Sequence, residues 1–277
     1  MESTSLLGIG GHPAGHAATL RRDRWWVEPA ITVGVLLAFA VYASWAAFQG
    51  NHYYVAPYLS PFYSPVLWTD LSVAGAAPAW HAAFGTLPVW WPGWAPYSPA
   101  FLILVFPGAF RFTCYYYRKA YYRSFAGSPP ACAVTPMAPA GKPYRGETAW
   151  LLFQNLHRYA LYFALLYLPI LALDAIAAFV RDGRVGIGVG SLVLTLNVVL
   201  LSGYTLGCHS FRHLVGGRVD CLSCGKQTVR FRWWKMSSWL NLRHPQFAWL
   251  SLFGVALTDL YVRLVSMGVV RDVNTWD

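Results

Sequence analysis

Five side chains able to hold a metal fall within Gly203–Gly225, which reads GYTLGCHSFRHLVGGRVDCLSCG. His209 and His213 are spaced i, i+4, so on a helix they share one face; Cys208 sits about 100° around from His209. Thiolates and imidazoles are soft and borderline donors, suited to zinc, copper and iron. An apolar run, Val193–Leu201, leads straight into the stretch and puts the donors at the end of a membrane helix. The chemistry this suggests is a metal or redox centre near a bilayer surface. The plain alternative is a hydrogen-bonded structural pair of histidines. Cys221 and Cys224 form a lone CxxC with no second CxxC, which is a weak zinc signal and fits two unpaired thiols as well.

The elements that must position these donors are apolar. The chain is 56% hydrophobic and 12% charged, against about 25% charged in an average soluble domain. Fourteen Trp, seventeen Tyr and sixteen Phe supply the aromatic belts that membrane interfaces use. A net charge of +10 would suggest nucleic acid in a soluble protein, but here Lys and Arg cluster between apolar runs. Membrane lipids, and no nucleic acid, are therefore the expected surroundings. The five cysteines lie near positive loops that should face a reducing compartment, so metal ligation is expected ahead of disulfides. The first apolar run begins after Pro29 and lacks a small-residue cleavage pattern, so no signal peptide is expected.

The expected fold is all-α: a five-helix transmembrane bundle in a single domain over 28–270, with spans about 28–48, 99–117, 147–180, 186–214 and 235–267. Arg21, Arg22 and Arg24 mark residues 1–27 as a cytoplasmic tail. Gln49–Ser98 has no Lys or Arg and is rich in Pro, Tyr and Trp. It reads as a long external loop on the outer interface, its aromatic residues acting as interfacial anchors. Arg111, Arg118, Lys119 and Arg123 form a positive cytoplasmic collar, and residues 271–277 an external tail.

This topology gathers Cys114, Cys132, His157, Cys208, His209, His213, Cys221, Cys224 and His244 on the cytoplasmic side. Bundles build cofactor sites from several helices in this way. Two histidines on different helices could hold a haem, for example His157 with His209 or His213. Two cysteines and two histidines could hold a Rieske-like [2Fe–2S] centre, thiolates on one iron and imidazoles on the other. His244 beside Pro245 also reads as a helix-start hydrogen-bonding residue. A transporter would need a polar path; Asp174, Asn197 and Asp259 could supply one but are scattered.

Six patterns in combination resemble one family. They are APYLSPFYSP at Ala56–Pro65, RFTCYYYRKAYYRSF at Arg111–Phe125, PPACAV at Pro129–Val134, YRGE at Tyr144–Glu147, QNLHRY at Gln154–Tyr159 and CHSFRHLVGG at Cys208–Gly217. They resemble the membrane anchor of succinate dehydrogenase/fumarate reductase, in its five-helix actinobacterial form. The resemblance implies a multi-pass subunit of succinate:quinone oxidoreductase, respiratory complex II, in a bacterial inner membrane. It implies a flavoprotein carrying FAD and an iron–sulfur subunit on the cytoplasmic face, with succinate oxidation belonging to those partners. The anchor would take electrons from the last iron–sulfur cluster and reduce ubiquinone or menaquinone. Its own centre would be a Rieske-like [2Fe–2S] cluster, with haem b as the alternative. Ligands would come from Cys114, Cys132, His157, Cys208, His209 and His213, and quinone contacts from Tyr117, Tyr144, Ser210, Arg212 and His244. A stand-alone haem-b quinol oxidoreductase is the rival within redox chemistry.

Overall fold

A computed structural model describes residues 17–136, 155–217, 221, 224 and 229–276. Eight α-helices carry the fold among these residues: α1 (Val27–Gln49), α2 (Ala100–Phe112), α3 (Tyr115–Ser124), α4 (His157–Ala177), α5 (Val189–Leu206), α6 (His209–Gly216), α7 (Val229–Leu242) and α8 (His244–Ser266). Two small antiparallel hairpins add to them, β1 (Tyr54–Val55) with β2 (Tyr58–Leu59) and β3 (Val180–Arg181) with β4 (Arg184–Val185). The helices α1, α4, α5 and α8 are each long and apolar enough to cross a membrane. A fifth candidate span is α2 with α3, bent by 77° between them.

The bend departs from the single helix expected over 99–117. Cys114 takes an extended conformation (φ −62°, ψ 130°) and starts α3 in a new direction. The charged, tyrosine-rich sequence of α3 cannot follow α2 through hydrocarbon, so it turns aside. Arg123 then donates two hydrogen bonds of 2.7 Å to Glu28 in the first turn of α1. The helix expected over 186–214 breaks in the same manner, with Cys208 extended (φ −66°, ψ 140°) between α5 and α6. The helix expected over 235–267 divides at Arg243, because Pro245 suits the first turn of α8 and could not continue α7. The start expected for the third span, 147–154, lies outside the described residues.

Backbone approach between α5 and α8 depends on Gly203: a Cβ there would meet the Phe247 ring at 2.3 Å. Gly203→Leu is expected to cost about 1–3 kcal/mol by overpacking. A lowered melting temperature of the detergent-solubilised protein would register it, and an unchanged one would refute the close packing.

The segment 50–98 is not a surface veneer. Tyr53, Tyr58, Phe62, Tyr63 and Trp68 are buried, and most of them pack against α1, α2 or α8. Their hydroxyls are paired, which makes burial tolerable. Tyr53 Oη lies 3.0 Å from Thr69 Oγ1, Tyr58 donates to Asp272 Oδ2 at 2.7 Å, and Tyr63 donates to the Ala46 carbonyl at 2.8 Å. The anchoring expected of all these aromatics therefore holds only for exposed ones such as Trp80, Trp90 and Trp94. Residues 272–276 are likewise tied down rather than a free tail. Asp272 accepts from Gly190 N at 3.0 Å, and Val189 N donates to the Val273 carbonyl at 3.0 Å.

The polar residues a transporter would need are committed to packing. Asp259 is fully buried and pairs with Arg263 at 2.7 Å, while also accepting from Tyr42 at 2.6 Å and from Ser60. Asp174 accepts from Ser64. Asn197 is buried at a distance from both in sequence, and its Oδ1 has no hydrogen-bond partner.

Candidate functional site

Four helix ends converge at one end of the bundle. Cys114 joins α2 to α3 and Cys208 joins α5 to α6, while His157 and His244 are the first residues of α4 and α8. Each is at a junction, where the backbone is free of the helical ladder and the side chain can turn inward. All four are buried, with 2%, 2%, 8% and 7% of their surface exposed. His157 Nε2 lies 3.0 Å from Cys208 Sγ, and His244 Nε2 lies 3.5 Å from Cys114 Sγ. Both sulfurs belong to free cysteines.

The imidazoles are held from behind. His157 Nδ1 lies 2.9 Å from Thr113 Oγ1, a contact of the kind that fixes the tautomer of a metal-binding histidine. His244 Nδ1 is buried with no hydrogen-bond partner. Phe110 stacks on His157 at 4.8 Å and Tyr204 stacks on His244 at 5.0 Å, so neither ring can swing freely. Burial, then the neighbouring Cys114 sulfur, pushes the Cys208 thiol up to about 12. A bound metal ion reverses this preference and favours thiolate. Among the described residues, no three His, Cys, Asp or Glu side chains surround a single ion position. The donors stand instead as two Cys–His pairs.

The other donors named from sequence lie elsewhere. Cys132 is exposed, and its carbonyl accepts from Arg21 Nη1 at 2.9 Å. His209 and His213 do lie on one helix, α6, but both are exposed, and Arg158 Nη2 lies 2.7 Å from His213 Nδ1. The buried residues of α6 are Ser210 and Phe211. Cys221 and Cys224 form a disulfide, against the expectation that cysteines here avoid one; their Cα atoms stand 5.4 Å apart, within disulfide reach.

Residues expected to contact quinone are dispersed. Tyr117 is buried and donates to the Ala248 carbonyl at 2.7 Å. Ser210 is buried beside Cys208, and Arg212 donates to Ser238 Oγ at 3.0 Å. His244 faces Cys114, and Tyr144 lies outside the described residues. Sequence reasoning set His244 apart from the ligands, although it opens the last apolar span just as His157 opens α4. That shared position was the available signal. Arg111, read as part of the collar, turns inward instead and borders an apolar cavity of about 160 Å³ between α1, α2, α4 and α5.

Fold and site together define an integral membrane protein of apolar helices with a buried thiol–imidazole constellation at one end. Residues 27–268 match the family described as the actinobacterial succinate dehydrogenase subunit SdhC. The chain belongs to that family and is a membrane subunit of succinate dehydrogenase. It is similar to a chain of the Mycobacterium smegmatis Sdh1 complex in the apo form, with 45% identity, 94% of each chain covered and a TM-score of 0.80. No curated protein matches.

Proposed function

We propose that this subunit passes electrons from an iron–sulfur partner to quinone through a centre held by Cys114, His157, Cys208 and His244. The observation that carries the reading is the pair of buried free thiols, each 3.0–3.5 Å from the Nε2 of a buried imidazole. Two thiols and two imidazoles, with no single-ion site among the described residues, suit a two-iron [2Fe–2S] centre of mixed ligation. Bis-histidine haem fits poorly, since both Nε2 atoms already face sulfur. His244 thus replaces Cys132, His209 and His213 in the ligand set expected from sequence.

When bound, such a cluster supplies one-electron transfer at a higher potential than an all-thiolate cluster, because neutral imidazoles replace two thiolates. The chain's own residues do the rest. Thr113 orients His157, while Phe110 and Tyr204 clamp the two rings and exclude water. The basic helices α3 and α6 lie beside the centre and suit docking of the iron–sulfur subunit, which itself binds a flavoprotein. Succinate oxidation would reside in those partners and not in this chain. Purified native complex should contain iron and acid-labile sulfide beyond the partners' clusters and show an additional paramagnetic resonance signal. A b-type haem spectrum without extra sulfide would reject the assignment.

The orientation proposed is N-terminus and site inside, segment 50–98 outside. A reporter active only in the periplasm should work when fused after Trp68 and fail after Ala133. Reversed activities would place the donors away from the partners and sink the relay.

A further inference from the structure

The cavity beside the centre is walled by Phe62, Ile103, Leu171 and Val255, with Arg111 and Tyr204 at the end nearest the cysteines. At about 160 Å³ it far exceeds the roughly 10–15 Å³ that one water needs. Its polar groups are unusual for a place this apolar. The Tyr204 side chain is 1% exposed and its hydroxyl has no hydrogen-bond partner. The Arg111 guanidinium lies 4.6 Å from the centroid of the Tyr204 ring.

A guanidinium carries five N–H donors. Arg111 Nη1 donates to Tyr117 Oη at 3.0 Å and the Ala248 carbonyl at 3.2 Å, and Nη2 donates to Ser251 Oγ at 2.9 Å. Nε–H and the second Nη2–H have no partner among the described residues, and no carboxylate pairs with this cation there. The C-terminal end of α2 offsets part of the charge, since Arg111 is in its last turn, but leaves those donors free. An intramembrane cation with spare donors and an orphan hydroxyl, both at one wall of an apolar cavity, match a planar apolar ligand with one strong acceptor.

We propose that this cavity seats the quinone ring and that Arg111 and Tyr204 donate to one ring oxygen, making them catalytic residues. The assignment rests on the electron relay proposed above. In the overall reaction succinate gives two electrons and two protons to become fumarate, and quinone takes two electrons and two solvent protons to become quinol. The two donors hold the negative charge that reaches the ring oxygen before protonation, in a site where apolar walls strengthen the interaction.

The test uses the purified complex, a short-chain quinone and, separately, a soluble dye that takes electrons upstream of the membrane. Tyr204→Phe removes a buried hydroxyl that lacks a partner, so a purely structural hydroxyl predicts equal or higher stability with unchanged kinetics. The donor role predicts a fall in kcat/KM for quinone of about 3- to 10-fold. Arg111→Gln should lower it roughly 10- to 100-fold, and Arg111→Lys should recover part. Gly108→Leu narrows the cavity without a clash at Cβ, which would meet nothing within 4 Å, and should raise the quinone KM. Succinate–dye turnover and the signal of the centre should stay as in the native complex. Unchanged quinone kinetics in Tyr204→Phe and Gly108→Leu overturn the proposal. So does a Tyr204→Phe complex altered only in the potential of the centre, which would assign the hydroxyl to the Cys114 sulfur. A native complex lacking the additional signal defeats the relay instead, and the variants then still report on the cavity.

Discussion

Replacing His244 by Ala is expected to abolish succinate–quinone reduction while succinate oxidation with a soluble dye continues. The flavin and upstream clusters belong to partners and are untouched. In this chain, Cys114 would lose the imidazole 3.5 Å away and the centre one of four donors. Cys208→Ser should do the same by removing the sulfur 3.0 Å from His157 Nε2. Both variants should erase the additional paramagnetic resonance signal. The joint substitution His209→Ala and His213→Ala should keep signal and turnover, since both side chains are exposed on α6. The reverse pattern, with the double variant silent and His244→Ala intact, would return the ligand set to the adjacent Cys–His cluster. Thr113→Val is a milder companion: it removes the contact to His157 Nδ1, and loss of such an orienting partner typically costs about 10–100-fold in metal affinity or activity.

Asp259→Ala is expected to destabilise the bundle by about 3–5 kcal/mol, because it strands a buried cation. Arg263 is 1% exposed, and its other partners are neutral: the Asn51 carbonyl at 2.9 Å and the Ala46 carbonyl at 3.0 Å. Total stabilities of about 5–15 kcal/mol make that loss large enough to reduce the yield of assembled complex. The same network ties α8 to α1 through Tyr42 and to the segment after it through Ser60. Asp259→Leu combined with Arg263→Met should recover much of the loss, since apolar pairs often replace buried ion pairs at little cost. A melting temperature for Asp259→Ala equal to that of the native complex would show that the pair contributes nothing to stability. Loss of transport with unchanged stability would revive the transporter reading.

The spans were legible because hydropathy is a local sum. About 20 apolar residues identify a membrane helix without reference to anything else in the chain. By that rule α1, α4, α5 and α8 were foreseen, and so were the donor types at the site, because Cys and His near the ends of apolar runs are visible one residue at a time. The quoted patterns pointed to the family by the same local means. Helix ends were less legible. The breaks at Cys114 and Cys208 each depend on two or three backbone angles that a mean over a window averages away.

Selection among the donors was a tertiary decision. His209 and His213 have the spacing of a ligand pair, and α6 does put them on one face, but that face is the exposed one. His244 comes from 36 residues beyond Cys208, and only the packing of α8 against α5 brings it to Cys114. That packing turns on Gly203 admitting the Phe247 ring. Burial of Tyr58 and Tyr63 was likewise hidden, because it requires Asp272 and Ala46 as partners from distant parts of the chain. The sequence by itself determined that the chain spans a membrane, which residues could bind a metal and which family it belongs to, since each follows from short-range chemistry. Which four donors meet, and that Arg111 turns inward to a cavity, was decided only when the helices packed, because rotation of one helix against another depends on contacts that no single segment contains.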